Sequence, residues 1–441
     1  MRCPSFLDAL DARRIVGHHL SLTQDAGRAH WRALPECPYG TPMSDLLPLT
    51  MAERLIRQAM TPFPVEAVPL EAAYGRVLRQ AVHAERALPP YDRVILDGIA
   101  VAWRDRQTAW VLSGTQAAGH PPLTLDPGHE AALAVMTGAV LPRGADTVIP
   151  REDYRREGDT LILQKGVSPK RGQHIHPMGA DCAAGAALLE SGLILSPPEM
   201  AVLAANGISQ PLVSAIPSIA VISTGDELVA PDAPVAPWQI RRSNDYAIAA
   251  SLARRGLTRQ TLLTLPDDLA ILTLKLDEAL DTHDAVVLSG GVSMGDFDFV
   301  PKVLAALGVQ RIFHKVAQRP GKPFWFGIGK SGQPVFALPG NPVSALACCS
   351  RHVVPALLHA QGLNLPPRHV MLAAPLTPIA TMTRFVPVRL GHDDQGRTLA
   401  YPCPMTTSGD FNRLGATDGL VTLPPGDTPL SAGTGLVFHA W

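Results

Sequence analysis

Charge is scarce in this chain. Only 17% of its 441 residues are Asp, Glu, Lys or Arg, and the formal net charge is −1. A nucleic-acid partner needs a broad cationic face, so none is expected. Cysteine is sparse as well. The six thiols are Cys3, Cys37, Cys182, Cys348, Cys349 and Cys403, with no Cys-x-x-Cys pair. That pattern points to reduced thiols and a cytoplasmic protein. No uninterrupted apolar run reaches the roughly 18 residues of a membrane helix, so no membrane partner is expected. The opening stretch MRCPSFLDALDARRIVGHHL lacks a compact apolar core followed by a small-residue cleavage site, which argues against a signal peptide.

What is present is apolar and heavily punctuated. Apolar residues make up 46% of the chain, and 42 prolines and 37 glycines are spread along it. Many short elements are expected, in about three domains by length. Residues 1–44 have weak periodicity and read as an extension. LTMAERLIRQAM carries a Thr50-x-x-Glu53 capping box and a helical stripe of Leu55, Ile56 and Met60. Residues 65–165 have β-rich texture. LSPPEMAVLAANG predicts a helix boxed by Ser196 and Glu199 and ended by Gly207. From residue 216 strands alternate with helices: IAVIST, SNDYAIAASLARRG, TRQTLLTL, DDLAILTLKLDEAL, DAVVLS, FVPKVLAALG. That alternation defines a doubly wound α/β domain with a mostly parallel sheet. Residues 365–441 return to β texture.

Ligands of open α/β sheets bind outside the carboxyl ends of the strands. Four loops fall there: STGDEL (223–228), LPDD (265–268), SGGVSMGDFD (289–298) and LPGNPVS (338–344). Glycines let backbone N–H groups approach an anion, and carboxylates hold a divalent cation. Phosphorylated or nucleotide ligands with Mg²⁺ suit such a set. Each loop also has an ordinary structural explanation. Asp226 and Asp268 suit turns and helix caps, Asn341-Pro342 suits a helix start, and Gly290-Gly291 suits a tight turn. HKVAQRPGKPFWFG adds Lys315, Arg319 and Lys322 beside a Pro-Gly turn, where three cations gather around oxyanions. Phe324, Trp325 and Phe326 read as core strand. His174-x-His176 and His18-His19 read as surface, and Cys348-Cys349 as helix packing.

MTGAVLPRGADTVIPRED, STGDEL, SGGVSMGDFDFV, RPGKPFWFG and LPGNPVSAL, in that order, resemble the molybdopterin molybdenumtransferases, the bacterial molybdenum-insertion enzymes similar to the E domain of gephyrin. The resemblance runs from about residue 45 to the C-terminus. Beyond the extension 1–44 it implies a four-part subunit: an N-terminal linker domain, 45–83 with 160–215; a β-rich domain, 84–159, lining the partner subunit's cleft; an α/β molybdopterin-binding domain, 216–364; and a C-terminal β-barrel-like domain, 365–441. It implies a homodimer that works with other molybdenum cofactor biosynthesis proteins and molybdoenzymes. The implied reaction takes adenylylated molybdopterin and molybdate as substrates and releases AMP in a Mg²⁺-dependent step.

Residue by residue, the resemblance assigns Glu227, Asp267 and Asp298 to the metal and to catalysis, with Asp97 and Thr137 arriving from the partner subunit. It assigns Gly290, Gly291 and Ser293 to the pterin nucleotide. Lys315, Arg319 and Lys322 are assigned to anionic oxygens. Pro339, Asn341 and Pro342 belong to the binding loop, and Ser408 comes from the C-terminal domain. The chain departs from the family pattern at several points. VILDGIAV has Val94 and Ile99 where the family has Ser and Tyr. Arg319 replaces a lysine. Pro387 stands where an arginine is usual, leaving Arg384 or Arg389 to substitute. Residues 179–181, GAD, lack a glutamate. The alternative reading is a divergent paralogue, a carrier or assembly factor that binds the pterin nucleotide or molybdate with little or no turnover. A third is a nucleotide pyrophosphatase.

Overall fold

A computed structural model describes residues 46–127, 130–292, 299–363, 365–403, 405, 407 and 410–441. The α/β domain is built on a six-stranded sheet. Its order runs Gln260–Leu265, Ile219–Thr224, Ala285–Ser289, Pro334–Leu338, Trp325–Ile328, Gln310–His314. The first four strands are parallel, Trp325–Ile328 runs against them, and Gln310–His314 pairs antiparallel with it at the edge. Apolar side chains leave both faces of the central strands. Ile219, Val221, Ala285 and Val287 pack into one core, while Ala220, Ile222, Val286 and Leu288 pack into the other. A sheet covered on both sides requires such continuous apolar runs, and IAVIST and DAVVLS supply them.

Helix Leu49–Ala59 packs on this domain through Leu49, Ala52 and Ile56. It starts one residue before Thr50, so the expected capping box does not form: Thr50 lies inside the helix, and Glu53 pairs with the largely buried Arg351 instead. The second capping box does form. Ser196 and Glu199 close the start of helix Pro197–Ala205, and Gly207 follows its end at φ 73°. The helical stretch Pro342–Ala360 is long and apolar enough to cross a membrane, but 78% of it is buried inside the protein as a core element.

The N-terminal β-rich part is a second six-stranded sheet, in the order Thr147–Pro150, Gly98–Val101, Ala131–Val135, Ala109–Gln116, Thr160–Leu163, Tyr154–Glu157. Strand Thr160–Leu163 pairs with both Ala109–Gln116 and Tyr154–Glu157, so this sheet continues past residue 159, the limit the resemblance implied, within the 65–165 stretch of β texture. Between Gly98–Val101 and Thr147–Pro150 the backbones are very close. A Cβ on Gly98 would lie 2.0 Å from the Ile149 carbonyl oxygen. Short antiparallel pairs, Val65–Ala67 with Leu212–Ser214 and Val82–His83 with Ala187–Leu189, form the linking part.

The C-terminal strands Thr383–His392, Thr398–Pro402, Arg368–Leu372, Gly435–Ala440 and Gly419–Leu423 close on themselves, because the first also pairs with the last. A closed five-strand barrel results, with no free edge of its own. Gln318–Arg319 leaves the α/β domain and adds to strand Thr383–His392 in parallel. That short pairing stitches barrel to α/β domain beside the carboxyl ends of the central strands.

Candidate active site

Three of the four loops expected at the strand ends converge on one cleft of about 990 Å³, and the fourth reaches it at Asp267. Glu227, Asp267, Gly290, Gly291, Pro339, Asn341, Pro342, Arg319 and Lys322 all line it. At Gly290 and Gly291 the chain leaves strand Ala285–Ser289 at φ 104° and 64°. These are left-handed conformations that glycine adopts without penalty. Space matters as much as torsion there. A Cβ on Gly290 would lie 2.5 Å from the Thr224 carbonyl oxygen, and one on Gly291 2.7 Å from Val300 Cγ2. Two glycines are what lets this loop lie down on the neighbouring strand end.

The acidic side is ordered by its own backbone. Asp226 Oδ1 accepts the Asp267 N–H at 3.1 Å, which ties the first loop to the second. Asp268 caps helix Leu269–Thr282 by accepting the Ile271 N–H at 2.9 Å. Asp226 and Asp268 are therefore spent on structure, while Glu227 and Asp267 line the cleft. Mg²⁺ is commonly held by one or two carboxylates, with phosphate oxygens and water completing its shell, so this pair fits it. No cluster of three metal-ligating side chains occurs among the described residues, which include His174 and His176. His176 is instead held between Asp181, at 2.8 Å, and Arg93, at 3.1 Å.

The cationic side lies where the barrel joins. Arg319 pairs in register with Arg384 across the parallel strands. Like charges at directly opposed positions repel. Both residues line the cleft, where an anion between them would offset that repulsion. Arg384 Nη1 also donates to the Thr377 carbonyl at 2.6 Å, which anchors its stem. Arg389, the other candidate to replace the missing arginine, lies outside the cleft lining with its guanidinium over Tyr401 at 4.9 Å. Pro387 itself lines the cleft. Lys315 is not on the lining. It sits at φ 70°, its N–H donating to the Phe324 carbonyl and its own carbonyl accepting from Leu47.

Asp97 and Thr137 do not line the cleft of their own chain, but the N-terminal sheet brings them together. Asp97 Oδ1 accepts the Thr137 N–H at 2.7 Å and its hydroxyl at 2.8 Å. Those bonds, the backbone one foremost, hold the fully exposed carboxyl below the usual carboxylate range. The departures at Val94 and Ile99 are both buried: Val94 is 0% and Ile99 1% exposed, each in a core. Ser293, Asp298 and Ser408 lie outside the described residues.

Several cleft residues escaped the sequence-based expectations. Asn244 is one of them. Its Nδ2 donates to Ser289 Oγ at 2.8 Å and to the Gly340 carbonyl at 2.7 Å, so it clamps two binding loops together. Ser223 and Thr224 end their strand with buried hydroxyls that have no hydrogen-bond partner among the described residues. Gln318 is fully buried and lines the cleft. A polar residue closing an otherwise apolar strand is the signal that could have marked Thr224, because burying such a group needs a reason; Gln318 lies in the polar pair Gln318–Arg319 and carries no such signal.

This architecture defines a class: a multidomain protein with a central doubly wound binding domain, whose cleft has an acidic and a cationic side and is roofed by a small barrel. Residues 47–207 match the model of the MoeA N-terminal region (domain I and II), residues 220–359 that of a probable molybdopterin binding domain, and residues 369–441 that of the MoeA C-terminal region (domain IV). A molybdopterin molybdenumtransferase of Synechocystis is 36% identical over 400 residues, covering 90% of this chain and 100% of its own. Molybdopterin molybdenumtransferase 2 of Mycobacterium tuberculosis is 33% identical over 87% of this chain and 97% of its own. The crystal structure of a molybdopterin biosynthesis MoeA protein from Pyrococcus horikosii superposes with TM-score 0.74 at 30% identity, covering 90% of this chain and 99% of that one. The chain belongs to the molybdopterin molybdenumtransferase family, a family of transferases.

Proposed function

We propose that this protein inserts molybdenum from molybdate into adenylylated molybdopterin and releases AMP with the help of Mg²⁺. One observation carries the proposal: a single cleft of about 990 Å³ sets Glu227 and Asp267 against Arg319, Lys322 and Arg384. That volume lies at the upper end of ordinary ligand pockets and suits a pterin joined to a nucleotide. Bound Mg²⁺ would offset charge on the diphosphate as its bond breaks. Glu227 and Asp267 would hold the cation. Arg319, Arg384 and Lys322 bind the remaining anionic oxygens and the incoming molybdate. The Gly290-Gly291 backbone supports the nucleotide. Hydrolysis then places the water oxygen on one phosphorus, and the bridging oxygen leaves on the other. AMP departs, and the phosphate stays on the pterin.

Asp97 and Thr137 complete the cleft of a second subunit in a homodimer. Their exposure supports this, as does the apolar rim formed by Leu96, 40% exposed, and Met136, 48% exposed, on either side of them. The buried positions of Val94 and Ile99 support turnover over the carrier reading. Arg384 on the cleft wall answers the proline at position 387. Purified protein supplied with adenylylated molybdopterin, Mg²⁺ and molybdate is expected to release AMP, and Asp267→Ala to stop it. Saturable nucleotide binding without AMP release would sink the transferase reading in favour of a carrier.

A further inference from the structure

Two of the cleft's cations, Arg319 and Lys322, ride on a turn, 319–322, whose shape is fixed from behind by a buried polar pair. Gln318 and His352 are 0% and 2% exposed. Gln318 Nε2 donates to the Gly321 carbonyl at 3.0 Å, across the base of the turn, and lies 3.3 Å from Cys348 Sγ. With the amide nitrogen committed there, Oε1 faces the core and meets His352 Nε2 at 2.8 Å. Because Oε1 only accepts, Nε2 carries the imidazole proton. The same imidazole stacks on Phe324, just past the turn, with centroids 4.6 Å apart and planes 14° from parallel. His352 therefore grips the chain on both sides of Arg319-Pro320-Gly321-Lys322. It sits in a five-residue π-helical segment, Cys349–Val353, interrupting the long core helix. Such segments shift the side chains that follow and recur at functional sites. Gly321 shows how tightly the turn is seated: a Cβ there would lie 2.4 Å from Cys348 Sγ and 2.8 Å from Gln318 Nε2.

We infer that His352 and Gln318 are positioning residues that hold the Arg319–Lys322 turn in its anion-binding geometry and so set the affinity for the anionic part of the substrate. The inference rests on the proposed function of the cleft. Two buried hydrogen bonds and a ring stack are more than a surface turn needs for folding, and all three converge on the segment that carries the cations. Burial holds the imidazole neutral, so the core gains no charge from the arrangement.

Calorimetric titration of AMP with Mg²⁺ into the full-length protein tests this, because it returns affinity and number of sites separately. Gln318→Leu, and His352→Phe, which keeps the stack but loses the donor, are each expected to raise Kd about tenfold with the number of sites unchanged. His352→Gln restores an N–H donor toward Gln318 and is expected to recover most of the affinity. A merely structural role predicts fewer sites at wild-type Kd, and that result would overturn the inference. So would wild-type Kd and site number in both loss variants. Failure of the wild-type protein to bind AMP at all would instead bring down the proposed function, and this inference with it.

Discussion

Gly290→Ala isolates the physical demand that places the nucleotide loop. Position 290 has φ 104°, where a side chain costs about 1 kcal/mol of backbone strain. The added Cβ would also lie 2.5 Å from the Thr224 carbonyl oxygen and 2.8 Å from its hydroxyl. Neither partner can yield easily: Thr224 ends a central strand that is buried along its whole length. Overpacking of this kind adds about 1–3 kcal/mol, for a total near 2–4 kcal/mol. Gly256→Ala in the same domain is the control. Its φ is 78°, but a Cβ there meets nothing closer than 3.8 Å, so only the strain remains. Thermal unfolding is expected to show a loss of about 5–15 °C for Gly290→Ala and about 2–4 °C for Gly256→Ala. AMP affinity should fall in the first variant and hold in the second. Equal melting points with equal AMP binding would refute the argument that close approach to Thr224 shapes the cleft.

Acid sensitivity should begin near neutrality. Burial holds His352 well below its ordinary value of 6.5 and brings His439 down to about 3. Both folded values lie below the unfolded one, so the unfolded chain binds more protons as pH falls. Stability is then level above pH 6.5 and drops below it, by about 1.4 kcal/mol per pH unit for each histidine. Urea titrations between pH 6.5 and 5 should show the slope, and His439→Gln should roughly halve it; an unchanged slope would contradict the assignment. Arg384→Met should raise the KM for molybdate about tenfold, while Arg389→Met should leave it within about twofold, since one guanidinium lines the cleft and the other stacks on Tyr401. Mixing and re-associating Asp97→Asn with Glu227→Gln, each inactive alone, should restore about a quarter of wild-type AMP release. Half of randomly paired dimers are mixed, and each has one intact site of its two. No recovery would place Asp97 and Glu227 outside a shared cleft.

The parts legible from sequence share a cause. Central strands buried on both faces must be apolar throughout, so IAVIST and DAVVLS announced themselves, and the alternation with helices fixed where their carboxyl ends would meet. The glycine and carboxylate content of those ends pointed to the cleft walls that Glu227, Asp267, Gly290 and Gly291 provide. The expectations that failed were local patterns with two possible outlets. Thr50 and Glu53 have capping-box spacing, but Glu53 gains more from the Arg351 guanidinium, whose burial requires a counter-charge. Lys315 sits in a cationic run, yet hydrogen bonds to Phe324 and Leu47 fix its backbone behind the wall. The β-rich sheet passed the limit that the resemblance implied at residue 159 because strand pairing is non-local, and no pattern within Thr160–Leu163 names its partner.

The Gln318–His352 pair shows why the remainder of the site was silent. The two residues lie 34 positions apart and belong to different elements, and neither matches a motif. The imidazole sits in a π-helical turn and meets the amide from a separate strand. Sequence periodicity records which face of an element is apolar; it does not record which buried polar group answers which. Yet burial makes that answer compulsory, since an amide or imidazole left unpaired in a core costs about 1–3 kcal/mol. The cations of RPGKP can therefore be read from the chain one by one, whereas the geometry that makes them a binding site depends on groups that become visible only when their partners are known.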